Sequence, residues 1–181
     1  MVPAGLLGEM IRLGGLGDGA YVVPNGTAGI SACFSPGTAN RKDFEDELSD
    51  RYNIPSHMMD ASSDEAKFRT PLKSGQTFLK KWLSHEESEP DMMSLDTWVQ
   101  EFAPGREDLL LQMDIEGAEY PNIGLADPNL LRRFRIIVIE LHGLAQLARN
   151  PQGFLEEKGP LFSNLMRNHV VVHAHPNNCC G

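Results

Sequence analysis

Leu109-Leu110-Leu111-Gln112-Met113-Asp114 is apolar except for Gln112 and stops at a carboxylate. A strand buried on both faces of a sheet reads this way, because neither face alternates with solvent. Arg135-Ile136-Ile137-Val138-Ile139-Glu140-Leu141 has the same character and is richer in β-branched residues, which suit a pleated surface. Earlier strands are expected at Gly29 to Phe34, closed by the turn Ser35-Pro36-Gly37-Thr38, at Ser56 to Met59 ending on Asp60, and at Phe78 to Leu83. Between the first two, Phe44, Leu48 and Tyr52 recur at helical spacing, with Asn40 as the expected N-cap. Residues 62–75 read as a loop or short helix, and His85 to Asp91 as a solvated connection. A helix should start at Ser94 or Asp96, helical material surrounds Leu130 to Phe134, and a last helix covers about Gln152 to Arg167. His169-Val170-Val171-Val172-His173-Ala174-His175 reads as a final strand. Strand and helix in alternation predict a doubly wound α/β fold, a mostly parallel sheet with helices on both faces.

The composition narrows the function. Against 16 Lys+Arg stand 25 Asp+Glu, a net charge of −9. No basic cluster offsets it, so nucleic acid is not an expected partner. No apolar run reaches the roughly 20 residues of a membrane span, and the N-terminus lacks the pattern of a signal peptide. Cys33, Cys179 and Cys180 are too few and too unevenly spaced for a disulfide framework. These features predict a cytoplasmic protein of one domain.

In open α/β sheets ligands bind beyond the carboxyl ends of the strands, so the strand ends are the first candidates. Gly37 and Asp60 lie 23 positions apart. That is close to the roughly 20 residues separating a phosphate- or cofactor-approaching glycine from a ribose-binding carboxylate. A turn glycine and a solvated aspartate would look the same, and the two readings weigh about equally. Gln112-Met113-Asp114-Ile115-Glu116-Gly117-Ala118-Glu119-Tyr120 is more specific. Three carboxylates directly after a buried strand repel one another unless a ligand, a cation or backbone donors compensate them. Helix capping by Asp114 and Glu116 would account for only part of the phrase.

Leu111 to Tyr120, LQMDIEGAEY, resembles the K-(I/M)-D-(I/V)-E-G-A-E signature of the FkbM-like family of S-adenosylmethionine-dependent methyltransferases. Other phrases resemble the family's in the same order. They are Gly17 to Pro24 (GDGAYVVP), Ser94 to Trp98 (SLDTW), Ile139 to His142 (IELH) and His175 to Asn178 (HPNN). The resemblance implies a Rossmann-like class I methyltransferase fold in a single domain. Residues 1–28 would be an N-terminal extension and 29–181 the core. It implies S-adenosylmethionine as cofactor and methyl transfer to an oxygen of a small-molecule or glycan acceptor, sugar-like or polyketide-like. By the same resemblance Ser35 to Gly37 would border the methionine part, Asp60 would take the ribose hydroxyls, and Asp114 and Glu116 would stand near the sulfonium or the acceptor. The family's fold closes with a C-terminal hairpin, and this chain reads as holding the first of its two strands. An incomplete hairpin would leave a sheet edge open to a partner, and a homo-oligomer is compatible with that reading.

Glu140 and His142 share one face of a strand, and the imidazole titrates near 6.5, which suits a general base for a hydroxyl. His142 is therefore the candidate base beside Asp114 and Glu116. His173 and His175 with Cys179 or Cys180 do not have zinc spacing. A hard divalent ion on Asp114, Glu116 and a histidine is the better metal hypothesis, but no obligatory metal is expected. Trp82, Trp98 and the methionines read as core. Two rivals remain. A nicotinamide-dependent oxidoreductase would carry a fuller glycine fingerprint, and a truncated or non-catalytic domain would act through its open edge.

Overall fold

The computed structural model describes residues 9–15, 17 and 19–176. A hairpin of β1 (Met10–Leu13) and β2 (Tyr21–Pro24) precedes the first sheet strand, β3 (Ile30–Pro36). Then come α1 (Asp43–Tyr52), β4 (Ser56–Met59), a 3-10 turn at Glu65–Lys67 and β5 (Gln76–Leu79). The two-residue strands β6 (Trp82–Leu83) and β7 (Met92–Met93) pair with each other. They are followed by α2 (Leu95–Phe102), β8 (Asp108–Met113), α3 (Glu119–Gly124), α4 (Pro128–Leu131), β9 (Phe134–Ile139), α5 (Gln146–Arg149) and α6 (Pro151–Leu165).

The main sheet runs in the order β5-β4-β3-β8-β9, and every neighbouring pair is parallel. The chain winds outward from β3 through β4 to β5, then returns to the other side of β3 with β8. The switch in direction therefore falls between β3 and β8, where doubly wound sheets hold ligands. Alternation along the strands explains the continuous apolar runs. Ala32, Phe34, Leu109, Leu111 and Met113 enter one core with Leu95 and Trp98 of α2, Tyr120 of α3 and Leu161 of α6. Cys33, Leu110 and Ile136 face the opposite side, against Phe44 and Leu48 of α1 and Leu13 and Val23 of the hairpin. This is the Rossmann-like α/β sheet expected from the sequence. No helix among the described residues is long and apolar enough to cross a membrane.

Four local expectations are corrected. Asn40 does not cap α1, whose first flanking residue is Lys42. Asn40 instead sits in the left-handed region (φ 59) and its side-chain oxygen accepts from the Asp64 amide at 2.8 Å. The strand expected over Phe78 to Leu83 is broken into β5 and β6, which belong to different sheets. Trp98 is fully buried, but Trp82 is 49% exposed and is not core. Residues 169–176 form no strand, and Val171 is 71% exposed. Their valine-rich pattern suits a pleat, yet strand formation depends on a pairing neighbour, and none pairs with it among the described residues. Asn177, Asn178, Cys179 and Cys180 lie outside the described residues, as does Asp18 of the GDGAYVVP phrase.

Candidate functional site

The turn after β3 is built by a close approach. Gly37 has φ 83, and a Cβ there would overlap the Asp114 carbonyl oxygen and lie 2.7 Å from its carbon. The Asp114 amide returns a hydrogen bond to the Pro36 carbonyl (3.3 Å). A glycine is thus required where the ends of β3 and β8 meet. Ala39 and Asn40 continue the turn with positive φ (46 and 59), an arrangement that costs free energy unless its surroundings hold it.

Asp60 supplies that hold. Its Oδ2 accepts from the amides of Thr38 and Ala39 (both 3.0 Å), from Thr38 Oγ1 (3.3 Å) and from Ser63 Oγ (2.6 Å). Its Oδ1 accepts from the Ser62 amide (2.8 Å) and hydroxyl (2.6 Å). Burial pushes the carboxyl up, but the donors from Ser62, Ser63, Ala39 and Thr38 outweigh it and hold the pKa at about 2. In this structure Asp60 fastens the loop of residues 37–40 to the end of β4.

Across the switch point, Glu116 (φ 57) and Gly117 (φ 104) turn the chain sharply from β8 into α3. Neither Asp114 nor Glu116 caps α3, the alternative reading of the phrase, since α3 begins at Glu119 and its flanking residue is Ala118, with no side-chain cap. They surround His142 instead. Its Nδ1 lies 3.1 Å from Glu119 Oε1, and Nε2 lies 3.5 Å from Glu116 Oε2, 3.7 Å from Asp114 Oδ1 and 4.0 Å from Glu140 Oε1. Glu119 is fully buried; its Oε1 also accepts from the Ile115 amide (2.9 Å), and its Oε2 has no partner. Burial lowers the His142 pKa, but the charges of Glu119, Asp114 and Glu116 outweigh it, and the net shift is upward. Asp114 is raised to about 6 by its own burial and then by the charge of Glu140. Ligand atoms of Asp114, Glu119 and His142 lie within 4.8 Å of one another, a spacing that a metal ion could bridge.

One cavity of about 250 Å³ joins the two halves. Gly37, Thr38, Asp60 and Ser62 line one side, and Asp114, Ile115 and Glu116 the other. Met59, Trp82 and Leu83 give it an apolar wall, and Tyr21 reaches in from β2 to donate to Asp114 Oδ2 (3.3 Å). Gly37, Asp60, Asp114 and Glu116 are therefore brought to one cavity, and His142 stands behind the two acids. Ser35 is not part of the wall. It is fully buried beneath it, hydrogen-bonded to Glu45 and Gln112.

Several participants were not singled out from sequence. Tyr21 was quoted as part of a phrase, without a role. Glu119 appeared as the third acid of a motif, and only its burial distinguishes it. Trp82 gave a misleading signal, because a tryptophan beside a strand is more often core.

The family model described as Methyltransferase FkbM domain matches residues 29–166. No curated protein and no solved structure shows a significant match to the chain. The chain belongs to the FkbM methyltransferase family.

Proposed function

We propose that this FkbM-family methyltransferase uses S-adenosylmethionine to methylate a hydroxyl of a small-molecule or glycan acceptor, with His142 as the base. The observation that carries the reading is the meeting, at the switch point, of a carboxylate-fastened loop and a histidine ringed by acids. S-adenosylmethionine, when bound, supplies an electrophilic methyl on a positively charged sulfur. The residues present suit such a cofactor. Asp114 and Glu116 offer negative charge toward a cation, and Met59, Trp82 and Leu83 offer the apolar wall that a purine needs. Asp60 would take the ribose hydroxyls from the Ser62 side, since Ser62 lines the cavity and its hydroxyl bond to Oδ1 can be exchanged for a ribose hydroxyl's.

An alcohol must lose its proton as it is methylated, whereas an amine can attack through its lone pair first. A histidine base beside the acids therefore favours an oxygen acceptor. With its proton on Nδ1, His142 donates a hydrogen bond to Glu119 Oε1, which leaves Nε2 to take the acceptor's proton. Asp114, Glu116 and Glu140 then stabilise the imidazolium that forms. The cavity walls would supply the rest by holding cofactor and acceptor against each other.

The test is to incubate the chain with methyl-labelled S-adenosylmethionine and a panel of sugars, polyols, phenols and amines. The expected product is a labelled methyl ether on a hydroxylated acceptor. Label on nitrogen or carbon alone, or on no hydroxylated acceptor, would overturn the assignment.

A further inference from the structure

The apolar wall of the cavity belongs to a piece of the fold that the main sheet does not hold. Trp82 and Leu83 form β6, whose strand partner among the described residues is β7, two residues long like itself. A pair of strands that short is marginal alone. The side chains of Leu83 and Met93 seat it in the core shared with α2 and α3, but side-chain burial is non-directional and does not by itself fix the backbone.

A buried polar side chain outside the cavity supplies the directional contact. Asn122 of α3 is 4% exposed. Its Nδ2 donates to the Leu83 carbonyl at 3.2 Å and to the Ala118 carbonyl at 2.9 Å. A carboxamide nitrogen carries two protons, so each carbonyl receives one. The reverse orientation would set Oδ1 against two acceptors, so the pair of carbonyls decides which way the amide points. Oδ1 has no partner. A buried acceptor left unpaired disfavours folding, so the asparagine is explained by its two donors and not by its packing. Both bonded residues line the cavity, Leu83 in the apolar wall and Ala118 at the end of the turn that carries Asp114 and Glu116.

We propose that Asn122 is a positioning residue, whose carboxamide clasps Leu83 to Ala118 from behind and so sets the gap between the apolar wall and the acidic turn. A cofactor with its purine on the first and its sulfonium toward the second spans that gap, and a change in its width is felt as lost affinity. Asn164 of α6 provides the comparison. It is 6% exposed, donates through Nδ2 to the Ile123 and Ala126 carbonyls (both 2.9 Å), and its Oδ1 is also unpartnered. The clasp is of the same kind, but none of its three residues lines the cavity.

The role at the cavity rests on the proposed cofactor site, and one arm of the test does not. Asn122→Leu and Asn164→Leu each exchange a carboxamide for two methyl groups on the same branching and remove two buried donors, so both should lower the melting temperature. In the ligand-free chain the amides of Trp82 and Ser84 bond the Asp91 and Met93 carbonyls. Their hydrogen exchange should be about tenfold faster in Asn122→Leu, through local opening of β6, and unchanged in Asn164→Leu. In the binding arm, calorimetry with S-adenosylhomocysteine should give a Kd raised about tenfold or more in Asn122→Leu, the scale of one or two lost hydrogen bonds, and within about two-fold of wild type in Asn164→Leu. Asn122→Ser, smaller than asparagine and with one proton to donate, should fall between wild type and Asn122→Leu, and it carries both arms if the leucine variant does not fold. Equal exchange in wild type and the Asn122 variants, or equal losses of affinity on substituting Asn122 and Asn164, would overturn the proposal. Faster exchange in the Asn122 variants with no S-adenosylhomocysteine bound by the wild type would uphold the clasp and refute the cofactor site.

Discussion

Replacing Gly37 by Ala is expected to lower the melting temperature by roughly 6–20 °C and to abolish cofactor binding. Two costs combine. Left-handed backbone (φ 83) costs alanine about 1 kcal/mol, and the added methyl would overlap the Asp114 carbonyl. The overlapped group is backbone, so relief requires parting the ends of β3 and β8. A total of about 3–5 kcal/mol is the scale of such steric strain, and at about 2–4 °C per kcal/mol for a domain of this size it gives the stated fall. Gly117→Ala is the control. Gly117 also has positive φ (104), but nothing lies within 4 Å of its would-be Cβ, so it should show the backbone cost alone. Thermal melts of the two variants check this. Equal losses would mean that the turn tolerates a side chain at Gly37 and that the close approach is not obligatory.

His142→Ala is expected to reduce kcat by about 10²–10⁴, the range for loss of a general base, while leaving cofactor affinity within a few-fold. The pH profile should change with it. In the wild type the base must be neutral, so kcat/KM should fall as pH drops below the His142 pKa, which the surrounding carboxylates hold above its ordinary value. The variant should lose that acid limb and regain rate as pH rises and the acceptor ionises without help. Steady-state kinetics at several pH values, with calorimetry for the cofactor, separate the two effects. A variant that keeps its rate but loses cofactor would place His142 in binding instead.

What was readable from sequence follows a physical division. The sheet was readable because strands in a sheet covered on both faces are close to continuously apolar, as Leu109 to Met113 is apart from Gln112 and Ile136 to Ile139 is throughout. Gly37, Asp60, Asp114 and Glu116 were readable because a doubly wound sheet places its strand ends in one crevice. The rest depended on distant residues meeting. Tyr21 and Asp114 are 93 positions apart, and no local pattern announces that β2 delivers a phenol to the end of β8. Glu119 and Glu116 look alike in sequence, yet one is fully buried and holds His142 while the other is 88% exposed on its side chain. The misreadings at Trp82 and at residues 169–175 have the same origin. Local propensity suggested core and strand, and tertiary surroundings provided neither.

The central claim, that the cavity between Gly37, Asp60 and Asp114 is a cofactor site, is tested most directly by a thermal-shift titration of the chain. The ligands are S-adenosylmethionine, S-adenosylhomocysteine and NAD. At 100 times its dissociation constant a ligand adds about 2.7 kcal/mol, or roughly 5–11 °C here. Rises with both S-adenosyl ligands and none with NAD are predicted. A rise with NAD alone, or with none of the three, would contradict the account.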